Sequence, residues 1–416
     1  MTAAKTTFDR ERALELDAAD PLAAFQDRFL PQTDDVVAYL DGNSLGALPA
    51  AAAEALRRTA EEQWGGDLIA SWTKHEWIDW PVRIAAKLAP IVGAKSSELL
   101  IADSTSVCLF KLLTAAVKAR PGRGTVLTQQ RNFPTDLYVA EGLCGMLGLT
   151  LRAVPREDVA AAIDADTAVV TLTHTDYRSA AFHDMAAMND AARGAGALML
   201  WDLSHSAGAM QLDLDGSGTD LAVGCGYKFL NGGPGAPAFL YVAERLQAEL
   251  RSPLQGWMGH ANPFAFDDGY QPADGMIRFL TGTPSILALA ALDAGLATFD
   301  GVSMADIEAK ARALSQLFID EVEARCGPEV RLASPRAADR RASHVSFAHP
   351  EGYAVIQALI ARGVIGDFRA PDLMRFGFAP LYNRYSDVVR AAEILGEILE
   401  RREWDQPAFR QRAKFT

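Results

Sequence analysis

The sequence predicts an α/β protein: a large domain on a mostly parallel, seven-stranded sheet, joined to a smaller α+β domain. Three observations point there. Between residues 98 and 242, seven short, continuously apolar segments alternate with amphipathic helical stretches, the pattern of a sheet covered on both faces. From about residue 285 that alternation gives way to two long helical patterns. At 416 residues, 49% apolar and 22% charged, the chain is ordinary globular material and exceeds what one compact core usually supports.

Taken in order, residues 7–30 carry a helical periodicity interrupted at Pro21, and VVAYLDGNSLG (36–46) runs a short strand into a polar, glycine-containing loop. The seven strand candidates are 98–103, 124–129, 149–154, 167–174, 197–202, 221–226 and 236–242. Helical patterns follow at 285–298 and 303–325, then a strand within 343–350, a helix at 352–362, short strands at 364–369 and 373–378, and a last helix near 385–402. The expected division is a large domain over 36–295 and a small domain from 1–35 and 296–416.

A net charge of −13 argues against a nucleic-acid or membrane surface, since an acidic protein is repelled by both without a separate basic face. The basic stretches at Arg336–Arg341 and Arg401–Arg412 are interrupted by acids and read as solvated surface. Cys108, Cys144, Cys225 and Cys326 have no metal-ligand spacing and read as reduced thiols, with no metal site. The first twenty residues lack the apolar core of a signal peptide, and no run approaches membrane-spanning length. The expected location is the cytoplasm.

Ligands of parallel sheets bind at the carboxyl ends of the strands, so chemistry is sought there. WDLSHSAG (201–208) leaves Asp202 at the end of an apolar strand, where burying an acid is costly without a partner. The next strand ends at Tyr227-Lys228, followed by a glycine-rich tail, and His205 lies between. A carboxylate and a lysine on neighbouring strand ends suit pyridoxal phosphate: the lysine forms the Schiff base, and the aspartate keeps the pyridinium nitrogen protonated. A desolvated Lys228 then serves as nucleophile and base.

Asp103-Ser104-Thr105-Ser106 ends a strand and opens a helix, which makes it either a good N-cap or a phosphate seat. GGPG (232–235) resembles a phosphate cradle but reads more readily as a tight turn leading into the next strand. Phe133, in the run Asn132-Phe133-Pro134-Thr135-Asp136, suits stacking on a pyridine face, and Asp136 suits accepting from the ring hydroxyl. Thr173-His174 and Gln255-Gly256-Trp257 add further strand-end groups. Arg375, in an apolar strand, needs an anion: either a substrate α-carboxylate or an internal acid such as Asp367.

These stretches resemble the kynureninase family over nearly the whole chain. The resemblance rests on YLDGNSLGALP (39–49), NFPTDLYVAEGL (132–143), WDLSHSAGA (201–209), GCGYKFLNGGPG (224–235), GWMGH (256–260), the run from Ser343 to Arg369, and MRFGFAPLY (374–382). HTDYRSA (174–180) and TGTPS (281–285) depart from the family's versions. The resemblance implies a type I pyridoxal-phosphate fold and hydrolytic Cβ–Cγ cleavage of L-kynurenine, or of 3-hydroxykynurenine, to L-alanine and anthranilate or 3-hydroxyanthranilate in tryptophan degradation.

Carried over, the family's roles put pyridoxal 5'-phosphate on Lys228, its ring nitrogen on Asp202, and Phe133 and Asp136 at the ring. Ser104, Thr105, Pro134, Thr135, Thr173, His205 and Tyr227 surround the cofactor and its phosphate. The family also implies a homodimer, with Trp257 and Thr283 reaching the phosphate from the partner chain. Arg375 binds the substrate carboxylate, and Trp64, Gly282 and Thr283 shape the aryl pocket. Tyr227 is expected to transfer a proton, its phenol lowered toward neutrality by a cationic site. A cysteine desulfurase on the same scaffold is the competing reading; it requires a reactive cysteine on a mobile loop, which the context of Cys326 does not supply.

Overall fold

The computed structural model describes residues 10–266 and 268–412. Strand β1 is Ala38–Tyr39; the seven candidates become β2 Leu99–Ala102, β3 Thr125–Gln129, β4 Thr150–Val154, β5 Thr167–Thr173, β6 Leu198–Asp202, β7 Leu221–Cys225 and β8 Ala238–Val242. These seven form one sheet in the order β2-β8-β7-β6-β5-β3-β4. Only β8 runs against its neighbours, pairing antiparallel with both β2 and β7. Every residue of β2, β3, β5, β6, β7 and β8 is buried, whereas the edge strand β4 is half exposed. That burial is why these strands read as unbroken apolar runs instead of alternating ones.

The smaller sheet is built from β9 Arg331–Leu332, β10 His344–Ala348, β12 Asp367–Arg369 and β13 Leu373–Gly377, in the order β12-β13-β10-β9. One face packs Val345, Phe347, Met374 and Phe376 against helices Met304–Cys326, Gly352–Ala361 and Tyr385–Glu400. Phe318 is the hub there, 4.8 Å from Phe376 between ring centres. Because side chains alternate across a strand, the other face of the same two strands carries His344, Ser346 and Arg375. That face is turned toward the larger sheet: Ser346 Oγ donates to the Arg178 carbonyl, and Arg375 Nη1 donates to that of Tyr177 at 2.6 Å.

Strand β1, expected within the large domain, pairs in parallel with β11, Val364–Ile365, and its Ala38 and Leu40 sit in the second core. The reason lies in the loop that follows. Gly46 N donates to the Tyr227 carbonyl at 2.9 Å, and a Cβ on Gly46 would meet the Lys228 carbonyl at 2.5 Å. The 41–46 loop therefore bridges the small sheet and the end of β7. Residues 10–30 form a helix, Arg10–Ala19, and a 3₁₀ turn, Ala23–Arg28, on either side of Pro21. Among the described residues, no single helix is long and apolar enough to cross a membrane.

Candidate active site

Register in the large sheet sets the first contacts. Thr173 and Asp202 end β5 and β6 as direct partners, and the helix Pro134–Leu147 that follows β3 brings Asp136 up to both. Thr173 Oγ1 donates to Asp136 Oδ2 at 3.0 Å, and the Asp136 and Asp202 carboxyls hydrogen-bond each other. Ser204 holds Asp202 Oδ1 with its backbone N–H at 2.8 Å and its hydroxyl at 2.6 Å. Burial, then the charge of Asp202, push the Asp136 carboxyl well above the usual carboxylate range. Burial raises Asp202 as well, against the Ser204 donors and the Lys228 charge that lower it. The pair thus holds a proton between two buried acids, with Lys228 as the cation facing both. Asp136, expected to serve a ring hydroxyl, meets Asp202 and Thr173 in the chain itself.

Lys228 is buried two residues after the start of the loop that leaves β7. Its Nζ lies 2.9 Å from His205 Nε2, and 5.9 and 5.8 Å from the ring centres of Phe133 and Tyr227. His205 is held far below the ordinary imidazole range, by burial first and the Lys228 charge second, so it is neutral and accepts from the lysine. Its Nδ1 is buried without a partner.

Tyr227 corrects its expectation. Burial first, then Cys225 and Asp202, push its phenol up from the ordinary tyrosine value, although Lys228 Nζ lies 5.8 Å from its ring centre.

Tyr227 also lines a cleft of roughly 610 Å³ together with Ser104, Thr105, Gly235, Gly282 and Thr283. Ser104 caps the fourteen-residue helix Thr105–Lys118, accepting from Val107 N at 3.5 Å. The preceding Asp103 takes φ +45°, a strained value for a non-glycine residue, and is pinned there by the fully buried Lys111, 2.5 Å away. GGPG is a turn, with Gly233 at φ +80° and Gly235 at φ +75°, and it forms one wall of the cleft. Thr283, read as a partner-chain contribution, thus also lies beside the seat formed by Ser104 and Thr105 of its own chain.

Two expected residues are not brought to Lys228 within one chain. Trp64 is 59% exposed on the surface, and Trp257, 39% exposed, lines a separate 540 Å³ cleft with Trp72 and Phe264. Thr135 and Pro134 stand at the start of the helix that positions Asp136.

Arg375 is 1% exposed and meets Asp367 through Nε at 2.8 Å and Nη2 at 2.5 Å. Arg369 shares Asp367 at 2.8 Å, and Ser44 bridges Arg375 to it. Nearby Asp41, which the sequence reading passed over, is pushed up to about 8 by burial and then by Asp367. At neutral pH the group therefore holds two guanidinium charges against one carboxylate, an excess of one positive charge. Of the two anions weighed from the sequence, Asp367 is the one paired with Arg375 inside the chain.

Asp41 gives a pH-dependent expectation. Its folded value of about 8 exceeds the ordinary aspartate value of 3.8, so the native state binds the proton more tightly and stability falls as pH rises from about 4 to 8. Asp41→Asn removes the penalty. Melting curves should show the variant gaining on the wild type across that window, by up to a few kcal/mol, then levelling off. A pH-independent difference would mean Asp41 is charged in the native state at neutral pH.

The C-terminal segment, residues 307–395, matches the family model described as the kynureninase C-terminal domain. A kynureninase from Pseudomonas fluorescens is 48% identical over 98% of this chain and 99% of its own length. Among solved structures, a cysteine desulfurase from Thermococcus onnurineus superposes with a TM-score of 0.77 at 20% identity, covering 90% of this chain and 97% of that one. A C-DES variant with glycine covalently linked to its PLP cofactor gives 0.75 at 19% identity, over 86% and 96%. These two likenesses concern the fold. All four cysteines here are buried, so no exposed thiol stands ready for desulfurase chemistry.

Proposed function

The chain belongs to the kynureninase family, and we infer that its buried Asp202–Lys228 site hydrolyses the Cβ–Cγ bond of L-kynurenine to anthranilate and L-alanine. The observation that carries this reading is one amine, Lys228, held by a neutral imidazole and faced by two carboxyls that share a proton. Bound here, pyridoxal 5'-phosphate supplies an electron sink for charge developed at the substrate α-carbon.

The residues fit that group. Asp202 offers a buried carboxylate to a protonated ring nitrogen, the unpaired His205 Nδ1 awaits a partner, and Phe133 supplies an aromatic face beside Lys228. The N-terminal N–H groups of the helix at Thr105, with the Ser104 and Thr105 hydroxyls, suit the phosphate. Lys228 would carry the cofactor, and its amine would serve as the base for the substrate α-proton. His205 holds its Nζ in place. Tyr227, its phenol kept protonated, donates a hydrogen bond or a proton instead of accepting one. Arg375 takes the α-carboxylate with the surplus charge of its cluster.

The protein acts in the cytoplasm as a homodimer. Trp64 and Trp257, both exposed in one chain, are then supplied to the partner's site. The reading is tested by incubating cofactor-loaded protein with L-kynurenine and following anthranilate fluorescence beside L-alanine. Equimolar appearance of both supports it, and a loaded enzyme that releases neither overturns it.

A further inference from the structure

Arg375 by itself is an incomplete receptor for a carboxylate. Four of its five N–H donors are engaged inside the chain: Nε and Nη2 on Asp367, Nη2 again on Ser44, and Nη1 on the Tyr177 carbonyl. One N–H remains on Nη1, whereas a carboxylate has two oxygens to satisfy.

A second donor stands on the same sheet face. In the β10–β13 pairing, His344 lies opposite Gly377 and Ser346 opposite Arg375, so His344 and Arg375 project to the same side, one pair apart. The His344 ring centre is 5.5 Å from that of His205, whose Nε2 holds Lys228. His344 therefore neighbours the imidazole that holds the reactive amine and shares a sheet face with the arginine.

His344 is 0% exposed, and neither of its ring nitrogens has a hydrogen-bond partner. The Tyr177 carbonyl lies near enough to favour the protonated ring, the smallest of the influences on it. Asn43 rests over Gly377, where a Cβ would meet its Oδ1 at 1.8 Å, and both of its amide atoms are likewise buried and unpaired. A core histidine that only fills space is normally satisfied by its surroundings. Here orphaned atoms of His205, His344 and Asn43 gather in one place, which is the mark of a missing ligand.

We propose that His344 is a substrate-binding residue whose ring N–H supplies the second donor to the substrate α-carboxylate, beside the free N–H of Arg375. The inference rests on the reading that Arg375 takes that carboxylate. Burial and then the Arg375 charge hold the imidazole well below its ordinary range, so it stays neutral and keeps one N–H to donate.

The test uses cofactor-loaded protein titrated with L-alanine and with ethylamine, which lacks the carboxylate, each followed by cofactor absorbance. His344→Phe weakens L-alanine about tenfold or more while ethylamine stays within about twofold, and His344→Gln, which keeps a donor, recovers most of the loss. His344→Ala carries the same test if phenylalanine does not fit. Equal weakening of both ligands, or of neither, overturns the proposal. Arg375→Lys separates the two claims: an unchanged preference for L-alanine there overturns the carboxylate role of Arg375, and a lost preference there with none lost in His344→Phe overturns His344 alone.

Discussion

Lys228→Ala is expected to lower kcat for L-kynurenine by a factor of about 10⁴ or more. The substitution removes both the group that carries the cofactor and the base for the α-proton, and general-base catalysis alone is worth roughly 10² to 10⁴. Lys111 is no substitute, because it is fully buried and tied to Asp103 and to the Phe279 carbonyl. The fold should survive, since among the described residues the lysine's amine hydrogen-bonds His205. A cofactor that dialyses away from a variant with an unaltered circular-dichroism spectrum, together with the rate loss, is the expected pattern. Turnover within tenfold of the wild type would remove Lys228 from the centre of the site.

Asp202→Asn is expected to cost roughly 10² to 10³ in kcat, the range seen when one electrostatic stabiliser of developing charge is removed. Asparagine matches the carboxylate in shape and can still accept from Ser204 at the position held now at 2.6 and 2.8 Å. What it lacks is charge, so a ring nitrogen facing it is no longer held protonated and the sink weakens. The acid neighbour changes too: Asp136 is raised partly by the charge of Asp202 and should fall back toward its ordinary range. Single-turnover rates measured with saturating cofactor separate this effect from weaker loading. A variant within threefold of the wild type would mean that Asp202 is only a structural acid.

Much of this site was legible because burial makes polar residues conspicuous. Asp202 and Lys228 close runs whose other residues are uniformly apolar, and such positions demand a reason. The seven large-sheet strands were legible for the same cause, as near-continuous apolar segments. β1 was not placed correctly, since a two-residue strand carries no information about its partner, and Val364–Ile365 lies far along the chain.

His344 was hidden by an opposite effect. In His344–Ala348 polar and apolar residues alternate, which ordinarily means one face in solvent, yet here that face is turned to the site and every residue is buried. Asp41 and Asn43 sat in a loop recognised as functional, but nothing in its letters says that it folds against Arg375. The upward direction of the Tyr227 shift was not legible, because it depends first on how deeply the fold buries the phenol.

The most direct test of the central claim is to load the protein with pyridoxal 5'-phosphate, reduce it with borohydride, digest it and locate the modified peptide by mass spectrometry. The account predicts a single stoichiometric phosphopyridoxyl group on Lys228, lost in Lys228→Ala. A label on another lysine, or none on the loaded protein, would contradict the site built around Asp136, Asp202 and His205.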